Sequence, residues 1–146
     1  MGQLSLPSSG AIYLDASVVI YSVEKIEPYW NLLQPVWQSA RLGAVTLMGS
    51  ELLLLETLVK PIQNGDKLLE TTFRELLTNS LEVQLVPITL TVLEQAIQLR
   101  ATIGLKTPDA IHAAIALQVE CRLFLTNDPV FRRISGLSAV VLKDVL

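Results

Sequence analysis

The sequence has little cysteine and no long apolar run. Its single cysteine, Cys121, excludes an intrachain disulfide and fits a reducing, cytoplasmic location. No apolar stretch approaches the ~18 residues of a membrane span, so we expect no membrane association. Residues 1–10 contain neither a basic residue nor the apolar core of a signal peptide. We predict a short flexible N-terminal tail over residues 1–10 and one domain over residues 11–146.

The chain also lacks an excess of positive charge. It has 11 Lys and Arg against 14 Asp and Glu, a formal net charge of −3. No basic stripe is visible, which argues against tight, non-specific binding of nucleic acid. If four acids bind a metal ion, 14 − 4 = 10 acids remain against 11 basic residues, and the rest of the surface is close to neutral. One histidine, His112, beside several acids does not make a zinc site.

Apolar residues, in contrast, are abundant. They make up 51% of the 146 residues, and the mean hydropathy is +0.47. A domain of this size has a limited interior, so we expect part of the apolar surface to form an oligomer interface. We predict a homodimer built through apolar helices. The residues that suggest this interface are Leu32, Leu33, Val36, Trp37 and the run Leu52–Leu55.

Short apolar segments alternate with segments of helical periodicity. The first kind predicts strands at residues 11–15, 44–48, 83–87, 122–126 and 139–142. The second kind predicts helices at residues 16–25, 50–63, 67–79 and 91–103, with two more that begin near Pro28 and Thr107. Ser50 is a candidate N-cap, and Pro35 suggests a break or kink in the second helix. The alternation predicts a three-layer α/β/α sandwich around a mostly parallel sheet with right-handed crossovers.

Four acidic residues stand at the junctions of these elements. Asp15 ends the first strand, Glu56 lies in the third helix, Asp109 opens the last helix, and Asp128 follows the fourth strand. Open α/β sheets place their sites beyond the carboxyl ends of the strands, so we expect these carboxylates to converge there. Crowded carboxylates repel one another unless a cation holds them, and hard oxygen ligands favour Mg²⁺ or Mn²⁺.

The segments that carry these acids resemble the PIN domain, a family of metal-dependent nucleases that includes the VapC-type toxins. The matching pieces are YLDAS at 13–17, Glu56, TPDAIHAA at 107–114 and LTND at 125–128. The resemblance implies an endoribonuclease that hydrolyses RNA phosphodiester bonds with Mg²⁺ or Mn²⁺. It implies that the catalytic and metal-binding residues are Asp15, Glu56, Asp109 and Asp128. It also implies a homodimer and an antitoxin that inserts a segment near the acidic pocket.

Each acid also has a structural alternative. Asp15 can cap the first helix, Asp109 can stabilise a helix N-terminus, and Asp128 can stabilise a turn. Glu56 can pair with Lys60, four residues away. Helix geometry nevertheless places Glu56 among apolar neighbours, where an unpaired carboxylate is costly.

Four more residues are candidates for orienting the ligands or the substrate. Ser17 can bond the Asp15 carboxylate or a metal-bound water, or cap the first turn of the helix. Thr126 and Asn127 are candidate donors to the acids. His112 can act as a general base or contact phosphate, but we favour a buried imidazole that bonds to a neighbouring group.

Three other functions remain open at this point. The chain can be a PIN-domain nuclease of RNA processing or decay without an antitoxin, or a non-catalytic PIN-like binding module. A phosphorylated receiver domain also gathers acids at strand ends. That site needs an adjacent acid pair after the first strand, and only Asp15 is acidic there.

Overall fold

The computed structural model describes residues 2–146 and consists of a five-stranded sheet with helices on both faces. The strands are β1 (Ala11–Leu14), β2 (Thr46–Ser50), β3 (Val83–Val86), β4 (Leu123–Thr126) and β5 (Ala139–Val141). The helices are α1 (Ala16–Val23), α2 (Tyr29–Arg41), α3 (Leu52–Gln63), α4 (Lys67–Thr78), α5 (Leu90–Ile103) and α6 (Thr107–Gln118). Two short 3₁₀ helices follow, at Pro129–Arg133 and Leu142–Asp144.

The sheet has the strand order β3-β2-β1-β4-β5, and every neighbouring pair is parallel. This confirms the predicted parallel α/β architecture. The chain builds outward from β1 in one direction and then returns to build outward in the other. The reversal lies between β1 and β4, where Leu14 pairs with Leu125. A crevice opens beyond the carboxyl ends of strands at such a point.

Alternation along the strands divides the interior into two apolar clusters. Ile12 and Leu14 belong to the larger cluster, which includes buried residues of α1, α2, α3 and α4. Tyr13, between them, belongs to the second cluster with α5 and α6. Phe124 of β4 also faces the second cluster. Helices therefore cover both faces of the sheet, and the predicted three-layer sandwich is confirmed.

Helix α6 is buried almost all round, as its lack of charged side chains after Asp109 predicts. Every residue from Ala110 to Ala116 is buried. Small alanine side chains let the helix pack closely against α5 and the sheet. The first turn is less buried than the rest of the helix, and this turn carries Asp109.

Strand β2 begins and ends two residues later than predicted. Gly49 and Ser50 pair with Leu85 and Val86 of β3, which extends the strand to Ser50. Ser50 is therefore not the N-cap of α3, a position that Glu51 occupies. The Ser50 hydroxyl still accepts a hydrogen bond from Leu52 N at 2.9 Å.

Helix α2 continues through Pro35 instead of breaking there. The residues that flank this proline are held by the larger cluster, which offsets the missing backbone hydrogen bond. Leu32, Leu33, Val36 and Trp37 are all buried in that cluster. Their predicted role in a dimer interface is therefore wrong, because they form the core of the domain itself.

The N-terminal residues lie along the domain. Residues 2–10 form no helix or strand, and Leu4 and Leu6 pack against the larger cluster. Among residues 2–146, the longest helix has 14 residues, and no helix is long and apolar enough to cross a bilayer.

Candidate acidic site

Asp15 lies immediately after β1, at the point where the strand order reverses. Its side chain is 8% exposed and caps α1 by accepting from Val18 N at 3.3 Å. The Ser17 hydroxyl donates to Oδ1 at 2.6 Å, and the Thr126 hydroxyl donates to Oδ2. Two donors occupy Oδ1 and one occupies Oδ2, so Oδ2 keeps a lone pair for a further contact. Burial raises the pKa of Asp15, and the hydrogen bonds from Ser17 and Thr126 oppose that rise.

Thr126 connects Asp15 to the loop after β4. Its side chain is fully buried, and its hydroxyl also accepts from Asp128 N at 3.0 Å. The Asp128 carboxylate is exposed and accepts from Val130 N at 2.9 Å, which begins the first 3₁₀ helix. Asp128 therefore stabilises a turn, and one of its carboxylate oxygens is bonded within its own loop.

Asp109 lies in the first turn of α6 and is half-buried. Burial raises its pKa, and the negative charge of Asp128 adds to that rise. Asp15 acts in the same direction, while His112 and Lys106 lower the pKa of Asp109. The charges of Asp128, after β4, and Asp15, after β1, thus both act on Asp109 of α6.

The main contact of Glu56 is with a histidine. Glu56 is 26% exposed, and its Oε1 lies 2.6 Å from Nε2 of His112, which is 2% exposed. Glu56 therefore pairs with His112, and residues 2–146 contain no salt bridge between Glu56 and Lys60. The other ring nitrogen, Nδ1, lies 2.6 Å from the hydroxyl of Tyr13.

The hydrogen-bond partners indicate one tautomer for this chain of three residues. A carboxylate only accepts, so we assign the proton between His112 and Glu56 to Nε2 of His112. Nδ1 then accepts from the hydroxyl of Tyr13. Burial raises the pKa of Tyr13 well above its ordinary value, and the charges of Glu56 and Asp15 raise it further. Tyr13 therefore keeps the proton that it donates.

Sequence reasoning had not singled out Tyr13 as a site residue. The sequence did contain an indication of this role, because a tyrosine between two apolar residues of a buried strand must bury its hydroxyl. Such a hydroxyl requires a polar partner inside the protein. Tyr13 is fully buried, and the partner is His112. The favoured interpretation of His112, a buried imidazole bonded to neighbouring groups, matches this arrangement.

The side chain of Asn127 bonds to groups other than the acids. Its amide donates to the Tyr21 hydroxyl at 3.1 Å, and its carbonyl oxygen accepts from Lys143 N at 2.9 Å. Asn127 thereby joins α1 to the second 3₁₀ helix. Glu51 is exposed and accepts from Ile88 N at 3.0 Å.

The donor set fits Mg²⁺ or Mn²⁺ in chemical type. The acids offer only hard oxygen atoms, and a divalent cation relieves the repulsion that raises the pKa of Asp109. As their side chains stand, no three Asp, Glu, His or Cys residues within 2–146 surround a common point closely enough to hold an ion. Binding one therefore requires Asp109 and Asp128, which are less buried than Asp15, to turn toward it.

The sequence model of the PIN domain matches residues 12–137, which is most of the chain. The protein belongs to the PIN domain family, and the predicted resemblance is confirmed. This membership excludes the receiver domain. A comparison with curated proteins finds no significant match.

Solved structures with a similar fold come from toxin–antitoxin systems. VapBC2 from Rickettsia felis, bound to a promoter DNA fragment, is 16% identical with a TM-score of 0.70, covering 89% of this chain and 97% of that chain. A toxin–antitoxin complex from Klebsiella pneumoniae is 20% identical with a TM-score of 0.69, covering 88% and 95%. VapC20 from Mycobacterium tuberculosis, a toxin that cleaves the sarcin-ricin loop, is 16% identical with a TM-score of 0.64, covering 77% and 86%. At these identities the likeness establishes a shared fold.

Proposed function

We propose that this protein is a metal-dependent endoribonuclease that hydrolyses RNA phosphodiester bonds and serves as the toxin of a type II toxin–antitoxin pair. The observation that supports this proposal is that Asp15 follows the strand at which the order reverses, and that the charges of Asp128 and Asp15 both raise the pKa of Asp109. Carboxylates that repel one another in this way favour the binding of a cation. Membership of the PIN domain family supports the same chemistry.

The acids have distinct roles in this proposal. Asp15 and Asp109 hold the principal ion, Glu56 binds an ion directly or through water, and Asp128 completes the cluster or holds a second ion. Bound Mg²⁺ or Mn²⁺ lowers the pKa of a coordinated water and stabilises negative charge on the phosphate.

The hydrogen bonds around Asp15 prepare it for this role. Ser17, Val18 N and Thr126 fix the plane of its carboxylate before any ligand arrives. A ligand group held in one orientation loses little conformational freedom on binding, which favours a defined ligand geometry. Burial around it also keeps competing water away.

Basic residues beside the site supply the contact with RNA that the net charge had argued against. Arg100 donates to Leu105 O at 3.0 Å, and Arg133 donates to Ile103 O at 2.7 Å, so both lie on the loop that leads into α6. Lys106 belongs to this loop and lowers the pKa of Asp109. All three side chains are exposed, and residues 2–146 contain no salt bridge to any of them. In this proposal they bind the phosphates of RNA that lies across Asp109.

An exposed apolar surface supports the homodimer. Leu55 and Ile62 lie on one side of α3 and are 63% and 52% exposed, while Leu90 and Ile97 of α5 are 75% and 54% exposed. The two helices begin near each other, because Glu51 at the start of α3 accepts from Ile88 N. In this proposal the second copy covers these two stripes.

The antitoxin is proposed from the similar structures, several of which are complexes of a toxin with its antitoxin. We expect a small reading frame directly upstream, and its product should bind this protein in the cytoplasm and inhibit cleavage. A gene with no such neighbour would favour the alternative of an RNA-processing nuclease without an antitoxin.

A map of RNA 5′ ends after brief induction tests the activity. Wild type should produce discrete new ends, and Asp15→Asn should produce none. Asp66→Asn is the matched control, because Asp66 also caps a helix, α4, by accepting from Leu69 N, and it should cleave like wild type. New ends with Asp15→Asn, or none with wild type, would contradict the proposal.

A further inference from the structure

Glu56 is held by two residues that come from other layers of the fold. His112 is on α6, whose buried residues belong to the second cluster, and Glu56 is on α3, whose buried leucines belong to the larger one. Tyr13 lies on β1, two residues before Asp15. The chain Tyr13–His112–Glu56 thus runs from the strand that delivers Asp15 to the helix that delivers Glu56. Each of its two hydrogen bonds is 2.6 Å long.

Burial alone explains only part of this chain. An imidazole that is 2% exposed needs polar partners, so the bond between His112 and Tyr13 satisfies the interior. Glu56, at 26% exposed, could be solvated by water instead. Its bond to His112 restricts a flexible side chain and costs conformational entropy. The bond occupies Oε1 and fixes the direction in which Oε2 points.

We propose that Tyr13 and His112 are positioning residues that fix the orientation of Glu56 toward the acidic site. This inference rests on the proposed function, in which Glu56 binds an ion directly or through water. Partners of this kind orient metal ligands and typically change metal affinity or activity by about 10- to 100-fold when removed.

Tyr13 acts by holding the ring of His112. The Glu56 carboxylate keeps the ring proton on Nε2, and the phenol donates to Nδ1, so both ring nitrogens are bonded. Without the phenol, the ring keeps its bond to Glu56 but loses the partner that holds it against β1. Loss of one hydroxyl at Tyr13 therefore loosens Glu56 without removing any atom of Glu56 or His112.

Tyr13→Phe is the central variant, because it keeps the ring that stacks on Phe124 at a centroid distance of 5.0 Å. The matched control is Thr57→Val. Thr57 is 3% exposed and is the next residue after Glu56 on α3. Its hydroxyl donates to Leu53 O at 2.7 Å and takes no part in the hydrogen bonds of Tyr13, His112 and Glu56. Both variants lose one buried hydroxyl, and only Tyr13→Phe loses a hydrogen bond to His112.

The first readout is nitrogen NMR of the metal-free protein, in which the single histidine makes the assignment unambiguous. Wild type and Thr57→Val should show a ring proton on Nε2 and an Nδ1 that accepts a hydrogen bond. Tyr13→Phe should keep the proton on Nε2 and shift the Nδ1 resonance, because Nδ1 loses the hydrogen bond from the phenol. An Nδ1-protonated ring in wild type, or identical spectra for wild type and Tyr13→Phe, would overturn the inference.

The second readout is titration with Mn²⁺ alone, followed by RNA cleavage at saturating Mn²⁺. Tyr13→Phe should weaken Mn²⁺ binding by about 10- to 100-fold, while Thr57→Val should bind like wild type. Equal affinities in Tyr13→Phe and Thr57→Val would overturn the inference even if wild type cleaves RNA. If wild type binds Mn²⁺ with the expected Tyr13 dependence but cleaves no RNA, the proposed function fails and the positioning role stands.

A double substitution separates the action of Tyr13 through His112 from a general loosening of the core. In His112→Gln the ring that Tyr13 holds is gone, so Tyr13→Phe should add little to His112→Gln. The losses in Mn²⁺ affinity should therefore be strongly non-additive. Fully additive losses would overturn the role of Tyr13 in holding His112.

Discussion

The two faces of strand β1 have different roles. Ile12 and Leu14 pack only among apolar side chains of the larger cluster. Tyr13, on the other face, joins an apolar cluster and also begins a chain of hydrogen bonds that ends at Glu56. Asp15 follows directly, with both carboxylate oxygens bonded. One face of the strand thus contributes packing energy, and the other also sets the geometry of a site.

This difference implies that stability and activity respond separately to substitution. On the apolar face, a substitution that removes volume destabilises the fold because the side chains are closely packed. On the polar face, a substitution that removes a hydrogen bond leaves a polar group unpaired inside the protein. Substitutions on the apolar face should therefore reduce mainly stability, and substitutions on the polar face should also change the site.

The largest effect is expected at Asp109. Asp109→Asn should reduce RNA cleavage by more than about 100-fold, beyond the loss typical of residues that only orient a ligand. The fold should remain, because Asn has the same shape and the variant loses a repelled charge. Circular dichroism and a cleavage assay check this pair of outcomes. Mn²⁺ should raise the Tm of wild type more than that of the variant, and equal responses would remove Asp109 from the ligand set.

The comparison of the two faces is tested by Leu47→Ala against Tyr13→Phe. Leu47 is fully buried in the larger cluster on β2. Its truncation should lower the free energy of unfolding by about 2–5 kcal/mol and leave Mn²⁺ affinity unchanged. Tyr13→Phe should cost about 1–3 kcal/mol and weaken Mn²⁺ binding. Urea unfolding and Mn²⁺ titration measure both, and equal loss of Mn²⁺ affinity in the two variants would break the comparison.

Substitutions in the exposed apolar stripes of α3 and α5 should change the dimer, and neither the packing of the core nor Mn²⁺ affinity. Wild type should sediment at micromolar concentration with about twice the chain mass of 16.1 kDa. Ile97→Lys should weaken the dimer by about tenfold or more, which corresponds to about 1.4 kcal/mol. Leu68→Lys is the control, because Leu68 is 79% exposed on α4 and outside the stripes. A monomeric wild type, or equal weakening by both substitutions, would argue against this interface.

The smallest effect is expected in the pH dependence of the metal-free protein. The raised pKa of Asp109, caused by burial and then by Asp128, means that the native state binds the proton more tightly than the unfolded state. Its contribution to stability is present below the ordinary value of 3.8 and is lost as the pH rises through the raised native pKa. With a chelator present, Asp109→Asn should therefore be more stable than wild type at pH 7, and the difference should shrink toward pH 4. Urea unfolding across this range tests the sign, and a constant difference would contradict it.

Local sequence patterns were sufficient for the layers of the fold. A short apolar segment at residues 11–14 and an uncharged helix after Asp109 are typical of a strand and a helix that are buried in a parallel α/β sheet. The convergence of the acids at the shared carboxyl edge of parallel strands stays a prediction.

Contacts between distant segments could not be read in this way. The partner of Glu56 is His112, 56 positions away. Helical spacing offered only Lys60 as an alternative partner, because only neighbours within a helix are visible in sequence. The apolar residues of α2 gave no sign of whether they faced the core or a second copy. Both questions depend on how helices from different layers pack, which the periodicity of one helix does not contain.

The measurement that tests the central claim most directly is an anomalous diffraction map of crystals soaked in Mn²⁺. The account predicts a peak beyond the carboxyl ends of β1 and β4, with oxygen atoms of Asp15 and Asp109 at about 2.0–2.2 Å. Crystals of Asp15→Asn should show that peak weakened or absent. A wild-type map with no peak at these two residues, or an unchanged peak in Asp15→Asn, would contradict the claim that this crevice is a metal centre.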